Sequence, residues 1–282
     1  MAERPADRGI IALYRQSLKP ADSLFNTYIA RVLAAPFVWL FARTSITPNQ
    51  VTFLSTFVMA LGMTALMSVS GPWGLYLGLI GLELSYVLDC VDGQLARVTG
   101  RTSEVGASLD FMMDELKAYL LIASISIRLY LFGPDLTGAT QLASRLGLEG
   151  PLPSSVALVL GLITLVVFAS AISLTRFTRS AEYAKATGVA QVKHGQSAGE
   201  GRSGGPLWPV KALIRLISQY PTTFPIFIFF DALDLFLYAY GAVHVLYVAQ
   251  AGLGVVLKLA RPTAAPAAQP PQNANTALDP EG

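Results

Sequence analysis

Polar residues enter this chain mostly as short interruptions between long apolar runs. The runs from Val51 to Val69, Trp73 to Val91, Gly106 to Phe132, Ser155 to Leu174 and Leu235 to Leu257 each come close to or exceed the roughly 20 apolar residues that a spanning helix needs. A sixth is composite: an amphipathic Val210 to Tyr220 and an apolar Phe224 to Phe230 cross together if Pro221 bends the helix. The pattern predicts an all-α membrane protein with six transmembrane helices. Punctuation supports the division. Thr47 can cap a helix that has Pro48 at its first position, and Gly71-Pro72 marks a turn. Gly133 to Ser154 reads as a loop, and HGQSAGEGRSGG, inside the polar, glycine-rich and basic stretch from Arg176 to Pro206, reads as a mobile loop.

Upstream of these spans, Phe25 to Ala42 is apolar but broken by Asn26, Arg31 and Pro36. It is expected to be an N-terminal interfacial amphipathic helix, bent at Pro36. The domain organisation is then residues 1–47 as an N-terminal segment, 48–260 as the six-helix domain and 261–282 as a disordered tail rich in Pro, Ala, Gln and Asn. The first 24 residues lack the apolar core of a cleavable signal peptide.

Composition agrees. Of 282 residues 53% are hydrophobic and only 13% charged, and the mean hydropathy is +0.51, whereas soluble domains carry about 25% charged residues. A net charge of +2 gives no case for nucleic-acid binding. The single cysteine rules out an internal disulfide and says nothing of compartment. Lys and Arg concentrate on one side of the six spans, Arg43, Arg97, Arg101, Arg176, Arg179 and Lys185 among them. The positive-inside rule makes that side, with both termini, cytoplasmic, and the inner cell membrane is the expected location.

The chemistry is expected between Leu88 and Leu116, reading LDCVDGQLARVTGRTSEVGASLDFMMDEL. Asp89 and Asp92 close one apolar run and Asp110 and Asp114 open the next. Residues three or four apart share a helix face, so each segment offers a carboxylate pair and the short link can bring the pairs together. Such acids are costly at a membrane and repel one another. Divalent cations offset both costs, and an all-oxygen set suits magnesium, manganese or calcium rather than zinc.

The spacing, D-x2-D-G-x2-A-R-x8-G-x3-D-x3-D through Asp89, Asp92, Gly93, Ala96, Arg97, Gly106, Asp110 and Asp114, resembles the signature of the CDP-alcohol phosphatidyltransferase family at all eight positions. The resemblance implies an enzyme that transfers a phosphatidyl group from a CDP-linked lipid, CDP-diacylglycerol foremost, to an alcohol acceptor and releases CMP. It implies Mg2+ or Mn2+, two ions, on Asp89, Asp92, Asp110 and Asp114, with Asp114 as the general base. By the same resemblance Gly93, Ala96 and Arg97 would contact the nucleotide or diphosphate, with Asn49 and Thr52 of the ITPNQVT stretch and Ser103 helping. The competing readings are helix packing for Gly93 and Ala96, a flanking charge for Arg97, and capping or packing for Asn49, Thr52 and Ser103.

Arg176 and Arg179, in TRFTRSAEY, resemble the stretch found in members with phosphorylated acceptors such as inositol phosphate. Acceptor-phosphate binding and a plain positive-inside cluster both stand there. Lys117 either joins the acceptor pocket or snorkels. Glu83 falls on the helix face opposite Asp92, and His244 reads as a packing residue. A homodimer is implied by the resemblance alone. The other functions to be weighed are transfer of a phospho-alcohol headgroup to a diradylglycerol, a transporter lined with carboxylates, and an inactive scaffold.

Overall fold

The computed structural model describes residues 9–18, 25–133, 154–188, 217 and 219–260. The tail from 261, most of the two connecting stretches, and all of Val210 to Tyr220 except 217, 219 and 220 lie outside the described residues. Every regular element described is helical. In chain order these are α1 (Ile10–Ser17), a π-helical turn (Asn26–Ala30) running into α2 (Arg31–Phe41), α3 (Pro48–Ser68), α4 (Gly71–Thr99), α5 (Glu104–Phe132), α6 (Ser154–Thr178), α7 (Ala181–Thr187), α8 (Tyr220–Phe229) and α9 (Leu233–Leu259).

Four of them, α3, α4, α6 and α9, are long and apolar enough to cross a membrane. α5 has the length, 29 residues or about 44 Å, but carries Asp110, Asp114, Glu115, Lys117 and Arg128. α8 is only 10 residues. Pro221 stands in the first turn of α8, where its missing N–H costs no helical hydrogen bond, and Pro225 is the proline inside the helix; the joint crossing with Val210 to Tyr220 falls mostly outside the described residues.

The start of α3 follows the sequence pattern. Gln50 N donates to Thr47 Oγ1 (3.3 Å) and Thr47 N donates to Gln50 Oε1 (2.9 Å), a reciprocal capping box with Pro48 at the first position. Round the bundle, neighbours run α4, α3, α5, α6, α9, α8 and back to α4, with α1 and α2 against the outer side of α4. α3 packs on both α4 and α5, but α4 and α5 scarcely approach each other, so a gap opens between them.

Small residues set the crossings. A Cβ on Gly62 would lie 2.7 Å from the Cα of Gly81 where α3 crosses α4, one on Gly161 would collide with Ser126 Oγ at the α5–α6 crossing, and one on Gly241 would lie 2.5 Å from Thr164 Oγ1 between α9 and α6. Close backbone approach is how helices gain packing contacts where lipid already satisfies apolar surface. Large apolar side chains point outward instead, Phe53, Phe57 and Leu61 on α3 and Leu162, Ile163 and Val166 on α6 among them.

Two cores result. One joins α3, α4, α5, α6, α8 and α9 through residues such as Met63, Leu121, Ile125, Phe224, Phe236 and Tyr240. The other, with Leu13, Ala34, Val38, Val51, Val91 and Leu95, ties α1 and α2 to α3 and α4. α2 turns Val32, Leu33, Phe37 and Leu40 outward and buries Arg31, Ala34, Ala35 and Val38. That is the reverse of a water-facing amphipathic helix.

Candidate active site

The gap between α4 and α5 forms a cavity of about 320 Å³. Helical spacing builds both walls in the same way. Asp92, Gly93, Ala96 and Arg97 line it from α4, and Gly106, Ala107, Asp110 and Phe111 from α5, with Asp114 one turn further. Each set has offsets 0, 1, 4 and 5, a single helix face. Pro48, Asn49 and Thr52 close it from the start of α3, and Arg101, Thr102 and Ser103 from the link. The link is tight because Gly100, the C-cap of α4, takes a left-handed conformation (φ 68°) and Arg101 N reaches back to Ala96 O (2.9 Å). Ser103 then caps α5, its Oγ accepting from Gly106 N (3.0 Å).

One carboxylate oxygen from each of Asp89, Asp92 and Asp110 lies within 4.8 Å of the other two. The spacing and all-oxygen donor set fit a hard divalent cation with metal–oxygen bonds of about 2.0–2.6 Å. Thr52 Oγ1 donates to Asp92 Oδ2 at 2.5 Å, and both residues are buried. Thr52, expected at the nucleotide, lines the cavity and also orients the Asp92 carboxylate.

Asp114 stands apart from the triad. Its Oδ1 accepts from Lys117 Nζ (3.2 Å), while its side chain is 47% exposed. Lys117 Nζ also pairs with Asp89 Oδ1, across the gap. Lys117 is buried and does not snorkel. Its i, i+3 spacing to Asp114 is legible in sequence; its reach to Asp89 is not, since that depends on how far α4 and α5 diverge.

Gly93 lies at the cavity surface. A Cβ there would meet only the Arg97 guanidinium, at 3.3 Å, and no neighbouring helix within 4 Å, so the packing reading fails for it. Arg97 is no loose flanking charge, because its Nε donates to Ser17 O (2.8 Å) at the end of α1. The sequence held no signal that α1 reaches the site. Nor did it single out Arg101, Thr102 and Phe111, which only the closed link and the helix face bring into the wall.

The two arginines after α6 part company. Arg179 lines the cavity. Arg176 does not; its Nη2 pairs with Glu115 Oε2 (2.6 Å) and its guanidinium lies 5.2 Å from the centre of the Phe111 ring. Beyond Asp114 a second cavity of about 280 Å³ runs between α5, α6, α8 and α9, lined by Phe168, Ile172, Tyr220, Tyr240 and His244. His244 packs its ring on Phe168 and Tyr240, at 4.9 and 4.3 Å between centroids. Asp114 and Phe111 belong to both cavities.

The model of the CDP-alcohol phosphatidyltransferase family matches residues 45–249. Among curated relatives, an archaetidylinositol phosphate synthase of Aeropyrum pernix is 38% identical over 107 residues, covering 38% of this chain and 52% of the relative. A phosphatidylinositol phosphate synthase of Streptomyces avermitilis is 33% identical over 117 residues, covering 41% and 46%. A bifunctional IPC transferase and DIPP synthase of Aquifex aeolicus is 35% identical over 83 residues, covering 29% of this chain and 18% of the relative. The chain thus spans about half the length of the first two. The family match runs over α3 to most of α9 and takes in all four aspartates and the cavity that three of them, Asp92, Asp110 and Asp114, line; this chain belongs to the CDP-alcohol phosphatidyltransferase family.

Proposed function

We propose that this chain is a membrane phosphotransferase that moves the phosphatidyl group of CDP-diacylglycerol, or a closely related CDP-linked lipid, to the hydroxyl of a phosphorylated polyol such as inositol phosphate, releasing CMP. The observation that carries the reading is the cavity itself. Carboxylates on two facing helices, a cavity of about 320 Å³ between them and a guanidinium at its wall meet in one place. Two relatives, an archaetidylinositol phosphate synthase and a phosphatidylinositol phosphate synthase, support the acceptor class.

Asp89, Asp92 and Asp110 would hold magnesium or manganese, two ions with Asp114 contributing to the second. When bound, such ions neutralise the diphosphate and the leaving oxygen. Gly93 and Ala96 leave room for the nucleotide to approach the α4 backbone. Arg97, held by the Ser17 carbonyl, presents a planar donor fork to phosphate. Asn49 and Ser103 would complete the nucleotide wall. Asp114 keeps Oδ1 on Lys117, so Oδ2 is the atom that takes the acceptor's proton. The acceptor oxygen then bonds to the lipid-side phosphorus, the bond from that phosphorus to the bridging oxygen breaks, and CMP leaves with the electron pair. Arg179 would receive the acceptor phosphate. The apolar cavity beyond Asp114 suits the lipid part of the donor.

In the membrane, we place six spans: α3, α4, α5, α6, α9 and one containing α8. α2 would lie at the interface with Val32, Leu33, Phe37 and Leu40 toward lipid. The site and both termini would be cytoplasmic. The test is CMP release by purified protein in detergent, with CDP-diacylglycerol against inositol phosphate, glycerol phosphate, inositol and serine, with and without Mg2+ or Mn2+. Metal-dependent release with inositol phosphate supports the reading. Release with another acceptor moves the substrate, and release only from a CDP-alcohol with diradylglycerol reverses donor and acceptor. No release with any pair would leave a scaffold or transporter.

A further inference from the structure

α5 carries a buried cation for which the reaction above has no direct use. Lys117 is 3% exposed, and its ammonium bridges Asp89 on α4 and Asp114 on α5. An ammonium so far from water needs anionic partners, and a carboxylate cluster so tight needs cations. Geometry lets one residue meet both needs. Lys117 lies one turn beyond Asp114, and its four-carbon stem spans the gap where α4 and α5 diverge. Asp89 is the shared member: it is one of the three carboxylates whose oxygens converge within 4.8 Å, and it is also the partner of Lys117.

We propose that Lys117 is an internal counter-cation of the carboxylate site, which holds Asp89 and Asp114 in place when no divalent ion is bound and competes with an incoming ion for Asp89. It is a positioning residue, and the inference rests on the metal-site reading above. Two effects follow. The metal-free protein is spared much of the repulsion among its aspartates. A divalent ion binds against a fixed positive charge, so its affinity is lower than the bare carboxylates would give. Once the ion holds Asp89, the ammonium remains on Asp114 and keeps one of its two oxygens engaged. A packing role for the long stem predicts neither effect.

The experiment compares wild type with Lys117→Met, similar in length but uncharged, and Lys117→Arg, which keeps the charge. Full-length proteins in detergent are titrated with Mn2+ by electron paramagnetic resonance, and each is melted with chelator and with saturating Mn2+. Lys117→Met should bind Mn2+ about tenfold more tightly, from the loss of one nearby positive charge. It should melt lower than wild type in chelator, and saturating Mn2+ should close most of that difference, since ligand binding stabilises in proportion to its affinity. Lys117→Arg should stay near wild type in Mn2+ affinity. If Lys117→Met does not fold, Lys117→Gln, which keeps hydrogen bonds but drops the charge, is read in the same way. An equal loss of stability with and without Mn2+, or unchanged or weaker Mn2+ binding, overturns the proposal but leaves the metal site standing. If neither wild type nor variant binds Mn2+, both this inference and the metal reading fall.

Discussion

α5 buries two cations, and their surroundings differ in kind. Arg128 lies three turns beyond Lys117 and is 2% exposed. Its guanidinium donates to Leu66 O (2.7 Å), Val69 O (2.9 Å) and Gly71 O (2.8 Å), at the end of α3 and the start of α4. Lys117 instead meets two carboxylates. The carbonyls of Leu66 and Val69, at the C-terminal end of α3, lie beyond that helix's own hydrogen bonds, so Arg128 completes hydrogen bonding that the α3–α4 turn must have. Carboxylates can take a proton, a metal or a substrate in place of the ammonium. The same helix thus carries a fixed clamp near its C-terminal end and an exchangeable pairing at its middle. In this chain the distinction between structure and chemistry lies in the partner rather than in the charge.

The largest effect expected is on turnover. Asp114→Asn should lower CMP release about 10²–10⁴-fold by removing the proton acceptor, while Mn2+ binding by Asp89, Asp92 and Asp110 persists. If Mn2+ binding is lost as well, Asp114 is chiefly a ligand and the division drawn within the site breaks. Next is Arg128→Met, which strands the Leu66 and Val69 carbonyls and should cost on the order of 3 kcal/mol in thermal or denaturant unfolding. That loss should be the same with and without Mn2+, unlike the loss at Lys117. A metal-sensitive loss at Arg128 would erase the contrast between the two cations.

Smaller and sharper is Thr52→Val. It removes the hydroxyl that orients Asp92 and should weaken Mn2+ binding about 10- to 100-fold, with little change in nucleotide affinity at saturating metal. The reverse pattern would restore Thr52 to the nucleotide. Least is the separation of the two arginines. Arg179→Ala should raise the acceptor KM about tenfold. Arg176→Ala, which breaks an ion pair at a 52% exposed side chain, should change it by less than about threefold. Equal effects would mean that both reach the acceptor, and no effect from either would leave the positive-inside reading.

Much of this was legible from one dimension. Apolar runs marked α3, α4, α6 and α9, and Thr47 with Pro48 marked where α3 begins, because helix length and capping depend on residues near in sequence. The spacing of Asp89, Asp92, Asp110 and Asp114 determined which side chains share a helix face, since 3.6 residues make a turn whatever surrounds the helix. Resemblance at eight positions then named the family.

What only the tertiary structure decided depends on how the helices cross. Gly62 and Gly81 let α3 and α4 meet backbone to backbone, and Gly161 and Gly241 make room for Ser126 and Thr164 at the crossings of α6, while α4 and α5 stay apart with the cavity between them. Across that divergence Lys117 bridges to Asp89, and the packing of the other helices sets Thr52 against Asp92, Arg179 in the cavity wall and Arg176 on Glu115. The N-terminal helix reaches Arg97 through a carbonyl, and a carbonyl carries no sequence signal. Local periodicity is a property of the chain, whereas the partner a buried charge finds is a property of the packing, and here that partner decides what the charge can do.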